Sequence, residues 1–448
     1  MIVNTVIVGG GPAGLAPLVS AARSGTLDRI MAGGLAIVER GPAIGGGNIG
    51  RYAINSDSTA ETLASCVIGN PHPVLASLRD HPTTVAVVAH GRDAVPLMLA
   101  GELMAEVGTA LRDALTVSGN PVLTCHEAIE TQKTPEGMWR TRLRRLSDGT
   151  ERTILSRFVV LATGGHQPEA CLETQCVGGV PLLPTYAAKL IQSGDALTRA
   201  GLATIGQRLA AGSSKRVAII GSSSSAMASA NAVLRSAFGR YLEPGAVTVL
   251  HRRPLRVFYP SAAAALAEGY DEFSPDDICP VSGFVFRFAG FRLDSRELLM
   301  AARGIGGRPP EDRLRLQRLL PGPDPDALRI LAEADVIIAA LGYRPRALPV
   351  LAAAGIPIPL LADAPAAGSL VDGKCNVLDA DGRIIPGLLG IGLAAGFTSA
   401  EAIGGEPSFS GQTNGVWQWQ NDIGALIARR LADTTSEVSP LRRPAAAG

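Results

Sequence analysis

The sequence predicts an α/β fold, and three observations predict it. The chain opens with a short β-branched run, Thr5-Val6-Ile7-Val8, which feeds a Gly9-Gly10-Gly11-Pro12-Ala13-Gly14 turn, an apolar helical segment and a second buried run, Leu35-Ala36-Ile37-Val38, ending on Glu39. The same order returns at Arg216-Val217-Ala218-Ile219-Ile220-Gly221, with the turn Ser222-Ser223-Ser224-Ser225-Ala226, a helical run and the strand Ala246-Val247-Thr248-Val249-Leu250. Late in the chain, Leu388-Leu389-Gly390-Ile391-Gly392-Leu393-Ala394 reads as a strand that returns to the first unit. Together they describe two Rossmann-like dinucleotide-binding domains, one inserted in the other: 1–198 with 346–448, and 199–345.

Each part of the first unit has a physical reason. Gly9 permits the tight strand-to-helix turn, Gly11 lets backbone approach a pyrophosphate, and Gly14 lets the helix pack closely on the sheet. The helix N-terminus, entered through Pro12 and Ala13, offers N–H groups and a partial positive charge to phosphates. Pro17 falls after the first turn and should remove a helical hydrogen bond and bend the segment. Glu39 lies 25 residues past the last glycine and can accept both ribose hydroxyls, and Arg40 follows it. A carboxylate there repels a 2′-phosphate, so this unit should hold FAD or NAD.

The second unit differs where that difference matters. Thirty residues separate Gly9 from Glu39, and thirty residues past Gly221 stands His251, followed by Arg252 and Arg253. Guanidinium groups pair with a 2′-phosphate, so this unit fits NADPH, with Gly221, Ser222, Ser223 and Ser225 around the pyrophosphate. Ser223 stands where a glycine would give the closest approach, and Ala226 replaces the last glycine, a packing position that accepts either.

Composition sets the outer bounds. The chain has 448 residues, an apolar share of 46%, 52 Gly and 31 Pro, which is enough for a sizeable core broken by many turns. A formal charge of +1 gives no electrostatic case for nucleic acid or an anionic membrane as partner. The most apolar window, 348–361, is broken by Gly355, Pro357 and Pro359 and is too short to span a bilayer. With a core strand starting beside Met1, a cytoplasmic protein is expected, and homo-oligomerisation stays open. Six scattered cysteines are far too few for a disulfide-stapled fold and read as reduced thiols.

Between the units, Gly41-Pro42-Ala43-Ile44-Gly45-Gly46-Gly47-Asn48 reads as a close-approach loop, with Gly46 and Asn48 against an isoalloxazine edge. Residues 51–58 supply polar groups, as a solvated turn or as part of a site. Periodicity predicts a packing helix over about 95–115, and alternation predicts an antiparallel excursion between Pro121 and Arg157. The apolar run 158–162, ending at Thr163 and Gly164, should rejoin the first sheet as a parallel strand, and 335–341 should close the second. Aromatics between Phe258 and Phe288, in a chain only 4% aromatic, form a local core or line a pocket.

Taken in order, the motifs resemble those of two-dinucleotide-binding-domain flavoproteins: the opening glycine turn, Glu39-Arg40, Leu161-Ala162-Thr163-Gly164, the second turn ending Ser225-Ala226, and Ala340-Leu341-Gly342-Tyr343-Arg344-Pro345. Within them the chain looks most like the class B flavin monooxygenases, with Leu341 in place of a threonine in the last motif and Gln192 in place of a histidine before the second unit. That resemblance implies FAD on Gly9, Gly11, Pro12, Ala13, Gly14, Glu39, Arg40, Gly46, Asn48, Thr163, Gly164, Gly392 and Ala394, and NADPH on Gly221, Ser222, Ser223, Ser225, Arg252 and Arg253. It implies that Asn55, in Ile54-Asn55-Ser56, hydrogen-bonds the oxygenated flavin. The Trp-His signature of lysine and ornithine hydroxylases is absent around 48–55, and the redox cysteine pair of glutathione-reductase-like enzymes has no counterpart in 41–65.

The implied activity is an NADPH-dependent monooxygenase in which a C4a-(hydro)peroxyflavin transfers oxygen to a small-molecule nucleophile, with O2 as co-substrate and without metal. Two other readings keep the fold: an NADPH-dependent flavin reductase or dehydrogenase, and a non-catalytic FAD-binding protein. Pocket residues are expected from 48–70, 259–290 and 405–420.

Overall fold

Among the described residues, nine strands form the first sheet and five the second. The computed structural model describes residues 1–364, 369–397, 403–411 and 423–435. Trp417 and Trp419 lie outside the described residues.

The two sheets are copies in topology. In the first, parallel strands run in the order Val122–Leu123, Leu35–Val38, Ile2–Val8, Glu151–Leu161 and Ile384–Gly390. In the second the order is Leu314–Arg318, Val247–His251, Val217–Ile220, Val336–Ala339 and Leu190–Gln192. This is the doubly wound order in which the crevice above the first strand receives a dinucleotide. Strands covered on both faces read as continuous apolar runs: Val6, Ile7, Ile37, Val159 and Ile219 are fully buried, each contributing about 1.5–3 kcal/mol of burial.

Two expectations change here. Val336–Ala339 does not close the second sheet; it lies inside, and the edges are Leu190–Gln192 and Leu314–Arg318. Because Leu190–Gln192 belongs to this sheet, the sheet starts upstream of residue 199, where the sequence reading divides the chain.

The antiparallel excursion is present as His126–Lys133, Trp139–Arg145 and the first half of Glu151–Leu161. The packing helix runs Leu97–Val117. Val95 lies instead in the strand Ala94–Pro96, since a residue before proline is disfavoured in the helical region. Pro17 lies buried inside a helix that continues from Pro12 to Arg23.

The crowding around the 41–48 loop also comes from a different neighbour. A Cβ on Gly45 would lie 2.0 Å from the Met104 carbonyl oxygen, and one on Gly108 would lie 2.1 Å from that of Ile44. The loop packs backbone-to-backbone on the 97–117 helix. It also meets the first nucleotide turn, where the Gly45 N–H donates to the Gly10 carbonyl at 2.7 Å and a Cβ on Gly47 would lie 3.0 Å from Pro12 Cδ.

Two linkers join the units, and they pair with each other. Gly165–His166 and Arg344–Pro345 form a two-stranded antiparallel ribbon. Thr163 donates its hydroxyl to the Arg346 carbonyl, and the Arg346 N–H donates to the Gly164 carbonyl at 2.9 Å.

Candidate functional site

The two nucleotide turns share one construction. Gly9 has φ +103°, and a Cβ there would lie 2.2 Å from the Ala162 carbonyl oxygen; Gly221 has φ +152°, and its Cβ would lie 2.4 Å from that of Ala340. In each unit glycine alone lets the turn pass beside the neighbouring strand end. At Gly14 a Cβ would lie 1.9 Å from the Gly9 carbonyl, whereas the second unit takes Ala226 there, fully buried. Its first turn is tightened, with the Ala226 N–H donating to the Ser223 carbonyl at 2.9 Å.

The helices that follow, Pro12–Arg23 and Ser224–Arg235, have neither a side-chain cap nor an acidic residue in the first turn. Their N–H groups and dipole are left for an anion. Gly11 faces Gly47, where a Cβ would lie 3.5 Å from the Gly47 Cα, and Gly392 faces the same helix start, 3.8 Å by the same measure from the Ala13 Cβ. Ser223 Oγ is buried and has no hydrogen-bond partner among the described residues.

The residues after the second strands occupy equivalent places. Val38 pairs with Val8 and Leu250 with Ile220, so Glu39 and His251 both stand one residue past the register. The Glu39 carboxylate accepts the Gly10 and Gly41 N–H groups, each at 2.7 Å, which fixes it against the turn. Burial pushes His251 below its usual pKa, and its Nδ1 faces the Arg253 carbonyl oxygen at 2.9 Å. The Arg252 guanidinium donates to the Cys176 carbonyl, while Arg253 is exposed.

Not every sequence candidate gathers at these turns. Arg40 points to Glu127 in an exposed pair at 3.6 Å. Gly46 lies against the 97–117 helix, 3.1 Å by the Cβ measure from the Gly101 carbonyl. Asn48 is exposed, with its carbonyl capping the short turn 49–51. Thr163 and Gly164 belong to the linker ribbon, and Ala394 packs on Gly165 in it. Ser222 and Ser225 sit half-buried in the second turn, where the Ser225 carbonyl accepts the Ser229 hydroxyl.

Between the units runs a seam that the sequence motifs did not reveal. Asn55 Nδ2 donates to Asp294 Oδ2 at 3.0 Å, and Asn231 Nδ2 donates to the same oxygen at 3.3 Å. Arg51 pairs with Asp195 at 3.1 Å, Ala53 N–H donates to the Leu197 carbonyl at 2.8 Å, and the Tyr52 and Tyr343 hydroxyls meet at 3.3 Å. Burial, then the Tyr52 hydroxyl, drives the Tyr343 phenol upward in pKa.

Behind Asn55, the Arg292 guanidinium lies 3.7 Å from the centre of the Phe258 ring and donates to the Arg287 carbonyl at 2.8 Å. Glu406 accepts the Phe288 and Ala289 N–H groups at 3.0 and 2.8 Å. Residues 55–57, 258–294 and 403–409 therefore converge, with Tyr259, Tyr270 and Phe286 serving as core. Arg318, at the end of the next strand and in register with His251, adds a cation beside Arg252 and Arg253. Its strand alternates Leu-Arg-Leu-Gln-Arg, a signal that could have found it.

Residues 3–272 match the pyridine nucleotide-disulphide oxidoreductase family. The chain belongs to that family. Over 434 residues, 95% of this chain and 97% of its relative, it is 33% identical to a CMP-5′-(3-aminopropyl)phosphonate hydroxylase from Streptomyces rubellomurinus. By these two relations the family member described here is an oxidoreductase with the organisation expected of class B flavin monooxygenases.

Solved structures bear on its fold. An FAD-bound cadaverine monooxygenase of desferrioxamine biosynthesis from Erwinia amylovora superposes with a TM-score of 0.55 at 10% identity, covering 100% of both chains. An ornithine N-hydroxylase from Kutzneria sp. 744, solved with reduced FAD, NADP+ and ornithine, does so at 0.50 and 17% identity, covering 98% of this chain and 99% of its own. The family's description refers to disulphides, but here Cys171 lies in the helix Ala170–Thr174 and Cys176 in the strand just after it, where its carbonyl accepts from Arg252 of the second unit. No helix among the described residues is long and apolar enough to cross a membrane.

Proposed function

We propose that the chain is an FAD-containing, NADPH-dependent monooxygenase that hydroxylates the primary amine of a short alkyl phosphonate, free or carried on a nucleotide. The observation that carries the cofactor assignment is the contrast between the two equivalent strand ends: a clamped carboxylate, Glu39, in one and the cations Arg252, Arg253 and Arg318 in the other. A carboxylate accepts ribose hydroxyls and rejects a 2′-phosphate, and arginines do the reverse.

The residues present fit both cofactors. For FAD, the uncapped helix start at Pro12, the open approach between Gly11 and Gly47, and Gly392 beside Ala13 form a cradle that side chains would fill. For NADPH, the orphaned Ser223 hydroxyl supplies a donor where the pyrophosphate would lie, compensating for the lost glycine. Bound FAD supplies the redox chemistry, taking hydride from NADPH and activating O2.

The chain's own residues would hold and shield. Asn55 aims a polar group into the seam, fixed by Asp294, and the aromatic cluster around Phe258 and Phe284 excludes water. The linker ribbon sets the separation of the two cofactors. The overall reaction is RNH2 + O2 + NADPH + H+ → RNHOH + H2O + NADP+. The amine follows the relative's named substrate, and a nitrogen lone pair is the nucleophile this chemistry uses.

The test is stoichiometry. Purified protein reconstituted with FAD is mixed with NADPH under argon, then with air and 3-aminopropylphosphonate or its CMP ester. Bleaching of the flavin and one hydroxylamine per NADPH are expected. Bleaching with hydrogen peroxide as the only product would assign a reductase instead, and no bleaching would assign a non-catalytic flavoprotein.

A further inference from the structure

We propose that Asp57 receives the ammonium end of the amine substrate and takes its proton, while Arg292 across the seam holds the substrate's anionic end. This rests on the monooxygenase reading above and deepens it by naming the residues that select a zwitterionic amine.

The argument starts from the strand Asn55–Thr59. Successive side chains alternate faces, so Asn55 and Asp57 share one face, exposed, with Ser56 buried between them. Ser56 locks that orientation: its hydroxyl donates to the Ser58 carbonyl at 2.6 Å and accepts the Val95 N–H at 3.0 Å. The exposed face is directed to the seam, because Asn55 is bonded to Asp294 in the first turn of the helix Leu293–Arg303.

Asp57 is thus placed where Asn55 is placed, one strand repeat farther along. Among the described residues its carboxyl has no hydrogen bond or ion pair to another residue, only its own backbone N–H, although Asn55, Asp294, Asn231, Arg292 and Arg287 all have partners elsewhere. It is accessible to solvent, on the face of the strand that meets the Leu293–Arg303 helix.

The charges around it define the ligand. Arg292, the residue capping the helix, acts on Asp57 through space; Asp294 follows on the same helix and is held by two amides. Arg287 and Glu406 lie behind Arg292, and Glu61, on the helix that follows the strand, pairs outward with Arg92 at 3.8 Å. Desolvation pushes the Asp57 carboxyl above the usual carboxylate range despite Arg292, and it also brings Arg292 down to about 10. A carboxylate and a guanidinium within Coulomb range of each other, flanked by Phe258, complement a short chain with an ammonium at one end and a phosphonate at the other.

The chemical need is specific. A primary amine near neutral pH is an ammonium without a lone pair, so it cannot attack. Transfer R–NH3+ + Asp57–COO− → R–NH2 + Asp57–COOH frees that pair, and a carboxylate with a raised pKa is the better acceptor. The proton returns to solvent at the accessible carboxyl once the product leaves.

The test compares binding of 3-aminopropylphosphonate and propylphosphonate to FAD-reconstituted protein by calorimetry, for the natural chain, Asp57→Asn and Asp57→Ser. The natural chain should prefer the amine by roughly ten- to hundred-fold, the range of a charge-assisted hydrogen bond. Both variants should lose that preference while binding propylphosphonate as before, and Arg292→Met should weaken both ligands alike. Asp57→Asn should also lose the acid limb of the kcat/KM profile. Retention of the amine preference by both Asp57 variants would overturn the inference. Anaerobic bleaching by NADPH is measured on the same samples: its absence from the natural chain would defeat the monooxygenase reading, while the binding preference reports on Asp57 alone.

Discussion

Asn55 and Asp294, 239 residues apart in the chain, meet at 3.0 Å and tie the strand after the first nucleotide turn to the helix packed on the second. Asn231, on the helix that begins at the second nucleotide turn, donates to the same carboxylate oxygen. One carboxylate therefore joins both units.

Replacing Asn55 by Ala should separate chemistry from stability. The bond is exposed, so its loss should cost no more than about 1–2 kcal/mol of stability. Hydrogen peroxide formed per NADPH should rise several-fold, with flavin reduction by NADPH slowed less than product formation. Peroxide assay and anaerobic stopped flow on the same variant check this, and slowed reduction with unchanged coupling would remove Asn55 from the site.

Arg252→Ala should raise KM for NADPH by roughly ten- to hundred-fold and KM for NADH much less, because a charged bond to a 2′-phosphate contributes about 1.5–3 kcal/mol. In the structure the guanidinium rests on the Cys176 carbonyl, so Arg252 is already held beside the strand end. Arg318→Ala should show a smaller change of the same sign, since its strand ends beside His251. An Arg252 variant with both KM values unchanged would assign the phosphate to Arg253 and Arg318.

What the sequence revealed follows from which contacts are local. Gly9, Gly14 and Glu39 are joined by one turn and two strand ends, so spacing alone carries them. Gly221 and His251 are legible through the same interval despite Ser223, because the register past Ile220 and Leu250 repeats that past Val8 and Val38. The seam is different: Asn55, Asp294 and Asn231 share no local pattern, and their meeting depends on how two units dock. Leu190–Gln192 is three residues long, too short for periodicity to register, so the sequence predicts the second sheet's close at 335–341 instead. The glycines at 45, 46 and 47 predict a close approach, but glycine spacing does not say whether a cofactor or a helix comes near, and Gly101 and Gly108 on the facing helix carry no such pattern.

Stability should depend on pH through Cys279. Burial pulls its thiol pKa upward, but donors from Ser282, then Arg287 and the Val281 backbone, outweigh this and bring it from 9.0 down to about 7. Between these values the folded chain binds fewer protons than the unfolded one. The stabilisation is complete above pH 9, declines as pH falls, and is lost below about pH 7. Cys279→Ser should flatten that dependence. Urea titrations from pH 6.5 to 9.5 on both proteins check it, and parallel curves would place the titration elsewhere.

Ser223 offers the sharpest separation of stability from function. Its hydroxyl is buried without a partner among the described residues, in a position where the first nucleotide unit has Gly11 and no side chain. An unsatisfied buried hydroxyl costs about 1–3 kcal/mol, so Ser223→Ala should leave the cofactor-free protein as stable or raise its stability by about 1 kcal/mol. The same substitution should weaken NADPH by roughly five- to twenty-fold, because the donor that met the pyrophosphate is gone and the added Cβ still limits backbone approach. Ser223→Gly should restore part of that affinity by opening the turn as Gly11 does. Melting temperatures without NADPH, read beside anaerobic NADPH titrations of flavin reduction, test both halves: if Ser223→Ala loses stability and keeps NADPH affinity, the hydroxyl serves the fold and not the cofactor.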